Sequence, residues 1–416
     1  RFAETGGPRA MLLIVDGVNL WYYDLKEGGQ MVSVQLPERI TADGGIISPT
    51  HVAVVAGSIV VNDSRSGYVY YSLPYPLAND MRTMYVMDGD KPSYMPSREH
   101  VFEDDYHVQK YFNTESSSDN INGLYAVGPT LYVFGPKTVE IWQRGSGEFE
   151  EWIRTSYTAQ NGFGLEAPDS VAFSGSLVYF VSSGAQYGKA VMMASGTTYK
   201  KISDDWLDEK LMREKASSAF GFCYSVGEHN FYVLQIPGIG ETWVYDTIDG
   251  GWHQRTSRDP KSGIEGQWRA RSVQYWHEKF WAFTVDGCWC EFGGYWSEDY
   301  PDGTSLPMVR HRQTAVIVDD LRPFTFEELT VECNVGSWDD YEHQPKLLLE
   351  VSKDGGNTFG NIRSASMGRT GNYSQRVRFM NLGYCRLCVL RLTYSHPTEF
   401  VISKASVRAE ATAEEM

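Results

Sequence analysis

Three stretches, Val127-Gly128-Pro129-Thr130-Leu131-Tyr132-Val133, Phe173-Ser174-Gly175-Ser176-Leu177-Val178-Tyr179 and Val226-Gly227-Glu228-His229-Asn230-Phe231-Tyr232, repeat one pattern. An apolar strand end meets a Gly-bearing turn, and a second apolar strand follows with an aromatic residue near its start. Each reads as a tight antiparallel hairpin whose aromatic fills the wedge between neighbouring sheets. Working outward, runs rich in Val, Ile, Tyr, Phe and Trp fall into six groups: Met11 to Leu36, His51 to Leu73, Gly123 to Tyr157, Ser170 to Ile202, Ala219 to Thr256 and Arg269 to Phe292. Groups of about four strands recurring every 40 to 50 residues or so are the signature of a β-propeller. One helix is expected after Ser203, which can cap it, with Leu207 and Leu211 on a shared face and Arg213 and Lys215 suiting the last turn.

Composition agrees with an all-β reading. Hydrophobic residues make up 42% and charged residues 22% of 416, with 26 Tyr, 19 Phe and 12 Trp, so the chain can bury a large core. The longest apolar stretches, Met11 to Val15 and Val52 to Val61, fall short of the roughly 18 residues that span a bilayer. Six Cys in so long a chain are no disulfide scaffold, and nothing at the N-terminus reads as a signal peptide. Synthesis in a reducing cytoplasm is therefore expected, and Arg1 in place of Met points to an upstream segment removed or not shown.

The net charge of −16 argues against wrapping nucleic acid with the bulk surface. Its distribution breaks near the C-terminus: residues 351–410 carry nine Lys/Arg against three acids, whereas residues 1–350 carry 28 against 48. This break divides the chain into a propeller at 1–320 and a C-terminal antiparallel β-sandwich with a short tail at 321–416. Six blades are expected, with seven the alternative. Residues 74–122 interrupt the rhythm as an irregular insertion with four Pro, and between Asp80 and Asn120 nine acids stand against four bases. So long an excursion is a functional loop or an interface arm. Tyr94, Met95, Phe102, Tyr106, Tyr111 and Phe112 are its candidate interface anchors, because aromatic residues dominate interface hot spots.

The candidates for chemistry are few. His100, Glu103, Asp104, Asp105 and His107 crowd one short segment, but on an extended chain His100 and Asp104 face one way and His107 the other, a poor arrangement for one ion. Cys288 with Cys290, and Cys385 with Cys388, lack the paired spacing of a structural zinc site and read as core thiols. No phosphate-cradling, nucleophile-elbow or zincin motif is present. No catalytic residue, metal or cofactor is therefore expected. Ser352-Lys353-Asp354-Gly355-Gly356-Asn357-Thr358-Phe359 resembles the Asp-box hairpin of sialidases and related propellers. Ser352, Asp354, Gly356, Thr358 and Phe359 carry the match, and the role it implies is structural. A propeller glycosidase or glycan-binding module of sialidase type is the alternative function it keeps open.

A longer resemblance runs through Leu131 to Trp142, Gly162 to Ser170, Val178 to Val181, Lys200 to Ser203, Trp243 to Asp246 with Trp252, and Trp268 to Ala270. It continues through Ser352 to Gly360, Arg376 to Phe379, Leu382-Gly383 and the final strands from Val401 to Arg408. In order and spacing these segments resemble the packaged-DNA stabilisation, or tail hub and nozzle, proteins of short-tailed bacteriophages, over residues 120–408 closely and 1–119 loosely. The resemblance implies a non-enzymatic structural virion protein of the phage tail, made in the bacterial host cytoplasm. It implies a homohexameric ring below the portal and head-to-tail adaptor, with distal needle, spike or fibre proteins beyond it. Genomic DNA would pass through its channel without sequence-specific binding and without any membrane segment. An acidic wall suits that task, because it repels phosphate where a basic groove would trap it.

Overall fold

The strand Thr130–Phe134 shows how this sequence builds its first unit. Leu131 and Val133 point to one face, Tyr132 and Phe134 to the other, and all four are buried. A strand with one wet face alternates between buried and exposed; this one has no wet face. Leu131 and Val133 pack against Val55, Val60 and Val69 of the preceding sheet. Tyr132 and Phe134 pack against Val178 and Phe180 of the following one. The strand Leu177–Gly184 repeats the arrangement, sending Val178 and Phe180 back and Tyr179 and Val181 forward onto Tyr232 and Leu234. Stacked sheets that share their cores in this way are the blades of a propeller.

The structure is a computed structural model that describes all residues except 6–9, 26–29, 41–43, 73–85, 89–90, 94–100, 103–107, 115–119, 146–151, 158–161, 186–187, 294–296, 320–321, 335–344, 369–374, 398–399 and 412–416. Blade 1 orders Phe2–Glu4, Met11–Val15, Leu20–Asp24 and Val32–Val34; blade 3 orders Gly123–Val127, Thr130–Phe134, Val139–Arg144 and Trp152–Tyr157. Blade 4 is built on Phe163–Leu165, Leu177–Gly184, Gly188–Ser195 and Thr198–Lys201, with Ala172–Ser174 added at the inner side of its second strand. Blade 5 orders Phe220–Val226, His229–Ile236, Glu241–Asp246 and Trp252–Gln254, and a three-stranded sheet of Ala270–Trp276, Lys279–Thr284 and Trp289–Glu291 follows. Blade 2 departs from the sequence reading. Its outer strand, beyond Tyr68–Tyr71, is Tyr111–Asn113, drawn from the segment expected to be an irregular insertion. The chain therefore leaves blade 2 and returns to complete it.

Two devices hold successive blades at close range. Phenol groups cross from blade to blade: Tyr132 donates to the Gly196 carbonyl at 3.1 Å and Tyr232 to that of Ser170 at 2.9 Å, while the Tyr179 and Tyr232 rings stack with centroids 4.9 Å apart. Glycine supplies the rest. A Cβ on Gly164 would lie 2.4 Å from the Gly135 carbonyl oxygen and the Lys137 nitrogen, and one on Gly221 would lie 2.4 Å from the Ser170 oxygen. The helix Asp205–Arg213 buries Leu207 and Leu211 as expected. Its N-cap is Asp204, however, with no side-chain cap bond; Ser203 instead receives the Val191 N–H at 2.9 Å and donates to Asp208, tying the helix to blade 4.

Arg39 and Asp63 form a buried ion pair in this unit. Arg39 donates to Asp63 at 2.6 and 3.2 Å, and both side chains are almost wholly enclosed. Burial alone would raise the Asp63 pKa, but donors from Arg39, the Ser48 amide and the Ser66 hydroxyl outweigh it and hold the carboxyl below its ordinary value.

The sandwich forms from two sheets. One orders Arg310–Gln313, Val389–Tyr394, Lys346–Ser352 and Arg363–Ser366; the other orders Gln375–Cys385, Phe324–Asn334 and Val401–Ala411. Phe326, Val331, Leu347, Leu349, Val377 and Leu390 fill the space between them. Arg310–Gln313 lies ahead of the expected boundary at 320–321 yet pairs with Val389–Tyr394, so by its hydrogen bonding it belongs to the sandwich. Contact density divides the chain into residues 1–256, 266–274 and 282–286 on one side and 257–265, 275–281 and 287–416 on the other.

Two stability predictions follow from this packing. Gly164→Ala forces a Cβ into backbone and is expected to cost about 1–3 kcal/mol, whereas Gly266→Ala, with open space around it, should not lower the melting temperature. Asp63→Asn leaves the Arg39 charge enclosed without its counter-ion and is expected to cost about 3–5 kcal/mol by denaturant unfolding. Because the folded Asp63 pKa is depressed, its stabilisation is present above the unfolded carboxylate pKa and fades as pH falls toward the folded one. The gap between wild type and Asp63→Asn should therefore narrow in acid, and a constant gap across that range would contradict the assignment.

Candidate functional surfaces

The excursion keeps fewer free aromatics than the sequence suggests. Tyr94, Met95 and Tyr106 lie outside the described residues, as do His100, Glu103, Asp104, Asp105 and His107. Phe102 is 2% exposed and packs in the core shared by blades 1 and 2. Phe112 lies against Trp142 at 4.3 Å, Trp152 at 5.5 Å and Tyr71 at 6.2 Å. Phe102 thus fills the space between blades 1 and 2, and the half-buried Phe112 reaches from blade 2 onto blade 3, so both rings already have apolar partners within the chain. Tyr111 remains 42% exposed, with one ring edge on Tyr68.

The Asp-box segment closes as a hydrogen-bonded turn at the end of strand Lys346–Ser352. Asp354 accepts from the Ser352 hydroxyl at 2.6 Å, the Thr358 hydroxyl at 2.6 Å and the Thr358 amide at 2.9 Å. The Gly356 amide donates to the Ser352 hydroxyl at 2.8 Å, and Gly355 and Gly356 take positive φ, which only glycine adopts without strain. These donors, the Ser352 and Thr358 hydroxyls foremost, hold the Asp354 carboxyl well below the usual carboxylate range. Beneath the turn, the Phe359 ring lies 3.8 Å from the Arg391 guanidinium, which Glu350 grips through two 2.9 Å bonds. The Ser352, Asp354 and Thr358 side chains are occupied in holding the shape of the turn, as an anchoring element requires.

The outer face of the sandwich carries a ladder of opposite charges. On strand Phe324–Asn334, Leu329, Val331 and Cys333 face inward, leaving Glu328, Thr330 and Glu332 outside. Arg376 donates to Glu332 at 2.7 Å, Arg378 lies 3.5 Å from Glu328, and Arg408 lies 2.9 Å from Glu327. Lys404 and Ser406 complete the shallow concave surface that Glu328, Thr330, Glu332, Arg376 and Arg378 line. Arg376, Arg378 and Arg408 of the basic stretch are thus met by glutamates from an earlier strand, and the described residues of this face mix both signs. Sequence reading found Arg376 and Arg378 but missed Glu328 and Glu332. The signal was the polar alternation in 328–332; the register that joins the strands is not written locally.

Strand pairing also brings together residues distant in sequence. His229 Nδ1 and Asp246 Oδ2 lie 2.6 Å apart, with Asp249 adjacent, and Asp246 also accepts the Ile248 amide at 2.9 Å. The pair ties the start of strand His229–Ile236 to the end of strand Glu241–Asp246 in blade 5. His51, enclosed near Tyr125 and Thr50, is pushed by burial down to about 2 and stays neutral. The thiols Cys333, Cys385 and Cys388 are buried in the sandwich, and burial raises their pKa values. Among the described residues, no helix is long and apolar enough to cross a membrane.

Blades that share their cores, followed by an antiparallel sandwich with a charge-matched outer face, define an all-β structural module. Residues 84–284 match the family profile described as phage stabilisation, bacteriophage P22 Gp10, beta-propeller, and residues 310–410 match the bacteriophage P22 Gp10 beta-sandwich. The chain belongs to the bacteriophage P22 Gp10 family of phage stabilisation proteins. No curated protein sequence matches it significantly. Similar solved structures include a nidogen/laminin complex (12% identity, 60% of this chain and 90% of that one, TM-score 0.28). Others are an Aleuria aurantia lectin mutant in complex with alpha-methyl-L-fucoside (14%, 63% and 74%, 0.30) and a Bacillus subtilis family 43 arabinoxylan arabinofuranohydrolase in complex with cellotetraose (8%, 98% and 94%, 0.27). At these scores none bears on the activity of this chain.

If the Asp-box turn is an anchor, Asp354→Ala should accelerate amide hydrogen exchange at Gly356 and Thr358 and lower the melting temperature of the sandwich. Unchanged exchange at both amides would contradict the role.

Proposed function

We propose that the chain is a tail hub or nozzle subunit of the phage virion, working as a homohexamer between the portal with its head-to-tail adaptor and the distal needle, spike or fibre proteins. In this reading it retains packaged DNA and conducts it during ejection, with no catalytic residue, metal or cofactor. The observation that carries the reading is the ordered match of both halves, propeller then sandwich, to one phage stabilisation family. Charge supports it: a net −16 disfavours capture of phosphate by the bulk surface, and the ion-paired sandwich ladder offers DNA no uncompensated basic strip.

The excursion contributes the interface. Tyr94, Met95 and Tyr106, with the exposed Tyr111, are its main anchors, while Phe102 and Phe112 pack chiefly between neighbouring blades. The test must therefore spare the returning strand. Replacing residues 76–99 by a short Gly/Ser linker should leave a protein that melts like wild type but fails to join the portal and adaptor, and particles made with it should lose their DNA. A variant that assembles and retains the genome would overturn the interface. Particles that lack the whole protein yet keep their DNA would overturn the retention role itself.

A further inference from the structure

The C-terminal strand Val401–Ala411 pairs on one side only. In its sheet the order is Gln375–Cys385, Phe324–Asn334, Val401–Ala411, and among the described residues no strand lies beyond it. It is long, contains no Pro, and is exposed on both faces: Lys404, Ser406, Arg408 and Glu410 outside, Ala405, Val407 and Ala409 on the side that continues the sandwich core. Edge strands are usually blunted by brevity, Pro, inward-pointing charge, Lys or a bulge; this one has a bulge at Ser403 and Lys404 beside it, but over residues 405–411 it runs in regular register with no Pro and no inward-pointing charge.

We propose that this edge pairs with the same strand of a second copy, antiparallel and two-fold, centred on Val407. Charge and overlap together select the register: centring on Ala409 would also set Arg408 opposite Glu410, but only residues 407–411 of the strand would then overlap, against 403–411 about Val407. Centring on Val407 sets Lys404 opposite Glu410 of the second copy, and the reverse, giving two complementary pairs, while Val407 meets its counterpart and Ala405 meets Ala409 on the apolar side. Shifting the centre one residue back places Lys404 opposite Arg408 twice, and one residue forward places Arg408 against itself. Opposite charges directly across a ladder stabilise it and like charges oppose it. Registers that mix the two faces would set charged residues against the apolar row.

An isologous contact of this kind closes on two copies, whereas a ring needs heterologous contacts. The pairing is therefore a property of the free chain that goes beyond the hub reading and does not depend on it.

The test is sedimentation of the purified full chain over a wide concentration range, alone and as charge variants. Wild type is expected to dimerise reversibly. Lys404→Glu and Glu410→Lys, each alone, should weaken self-association at least about tenfold, since each creates two like-charge pairs across the two-fold. Mixed one to one, the two variants should recover a dimer, because each then supplies the charge the other lacks; melting curves matching wild type establish that both are folded. A wild-type chain that stays monomeric at every concentration, or single variants that dimerise as wild type does, would overturn the proposal. So would a mixture that associates no better than its components.

Discussion

The propeller depends on burying both faces of each interior sheet. An isolated four-stranded antiparallel sheet needs only one dry face, and its sequence alternates accordingly. Blades 2 to 5 have no wet face in their second strands, so every residue from Val178 to Val181, and from Leu131 to Phe134, must find apolar neighbours on alternating sides. Each sheet therefore stabilises the next, and each is incomplete alone. The approach distance follows: backbone must come near backbone where Gly164 and Gly221 sit, and phenols must reach across to carbonyls. Blade 1 shows the contrast, since Met11–Val15 alternates buried with half-buried residues.

The same constraint bears on function. Side chains spent between sheets are unavailable for chemistry, and the described polar groups are largely engaged in turns, caps and ladders. Asp354 is saturated by its own loop, Asp63 by Arg39, and Asp246 by His229 and a backbone amide. What remains for partners is surface: an acidic propeller sequence, a sandwich face whose charges answer one another, and an excursion that leaves blade 2 and returns to it. Such an inventory is consistent with membership of a phage stabilisation family.

Much of this was legible in the sequence because it is local. Gly128, Gly175 and Gly227 announce hairpins through a turn conformation that needs no tertiary context, and all three take positive φ. The Asp-box is likewise a local motif, whose side-chain bonds span at most four residues, although the Gly355 amide also reaches the Leu387 carbonyl. What was not legible depends on pairing across distance. Tyr111–Asn113 looked like loop because three residues after a long irregular segment carry no periodicity, yet they complete blade 2. Arg310–Gln313 is polar and reads as linker; only its pairing with Val389–Tyr394 assigns it to the sandwich. Phe102 and Phe112 are indistinguishable by composition from interface anchors, and their burial is decided by neighbours from other blades. Glu328 and Glu332 meet their arginines through a register that bulges once, between Phe326 and Glu328, which no alternation rule foresees.

The central claim is that this chain is a ring-forming component of the tail through which DNA passes. Electron cryomicroscopy of intact particles tests it most directly. The account predicts six copies around the tail axis, directly below the adaptor and enclosing the DNA path. Particles that carry the protein away from that axis, or that lack it altogether while remaining full of DNA, would contradict it.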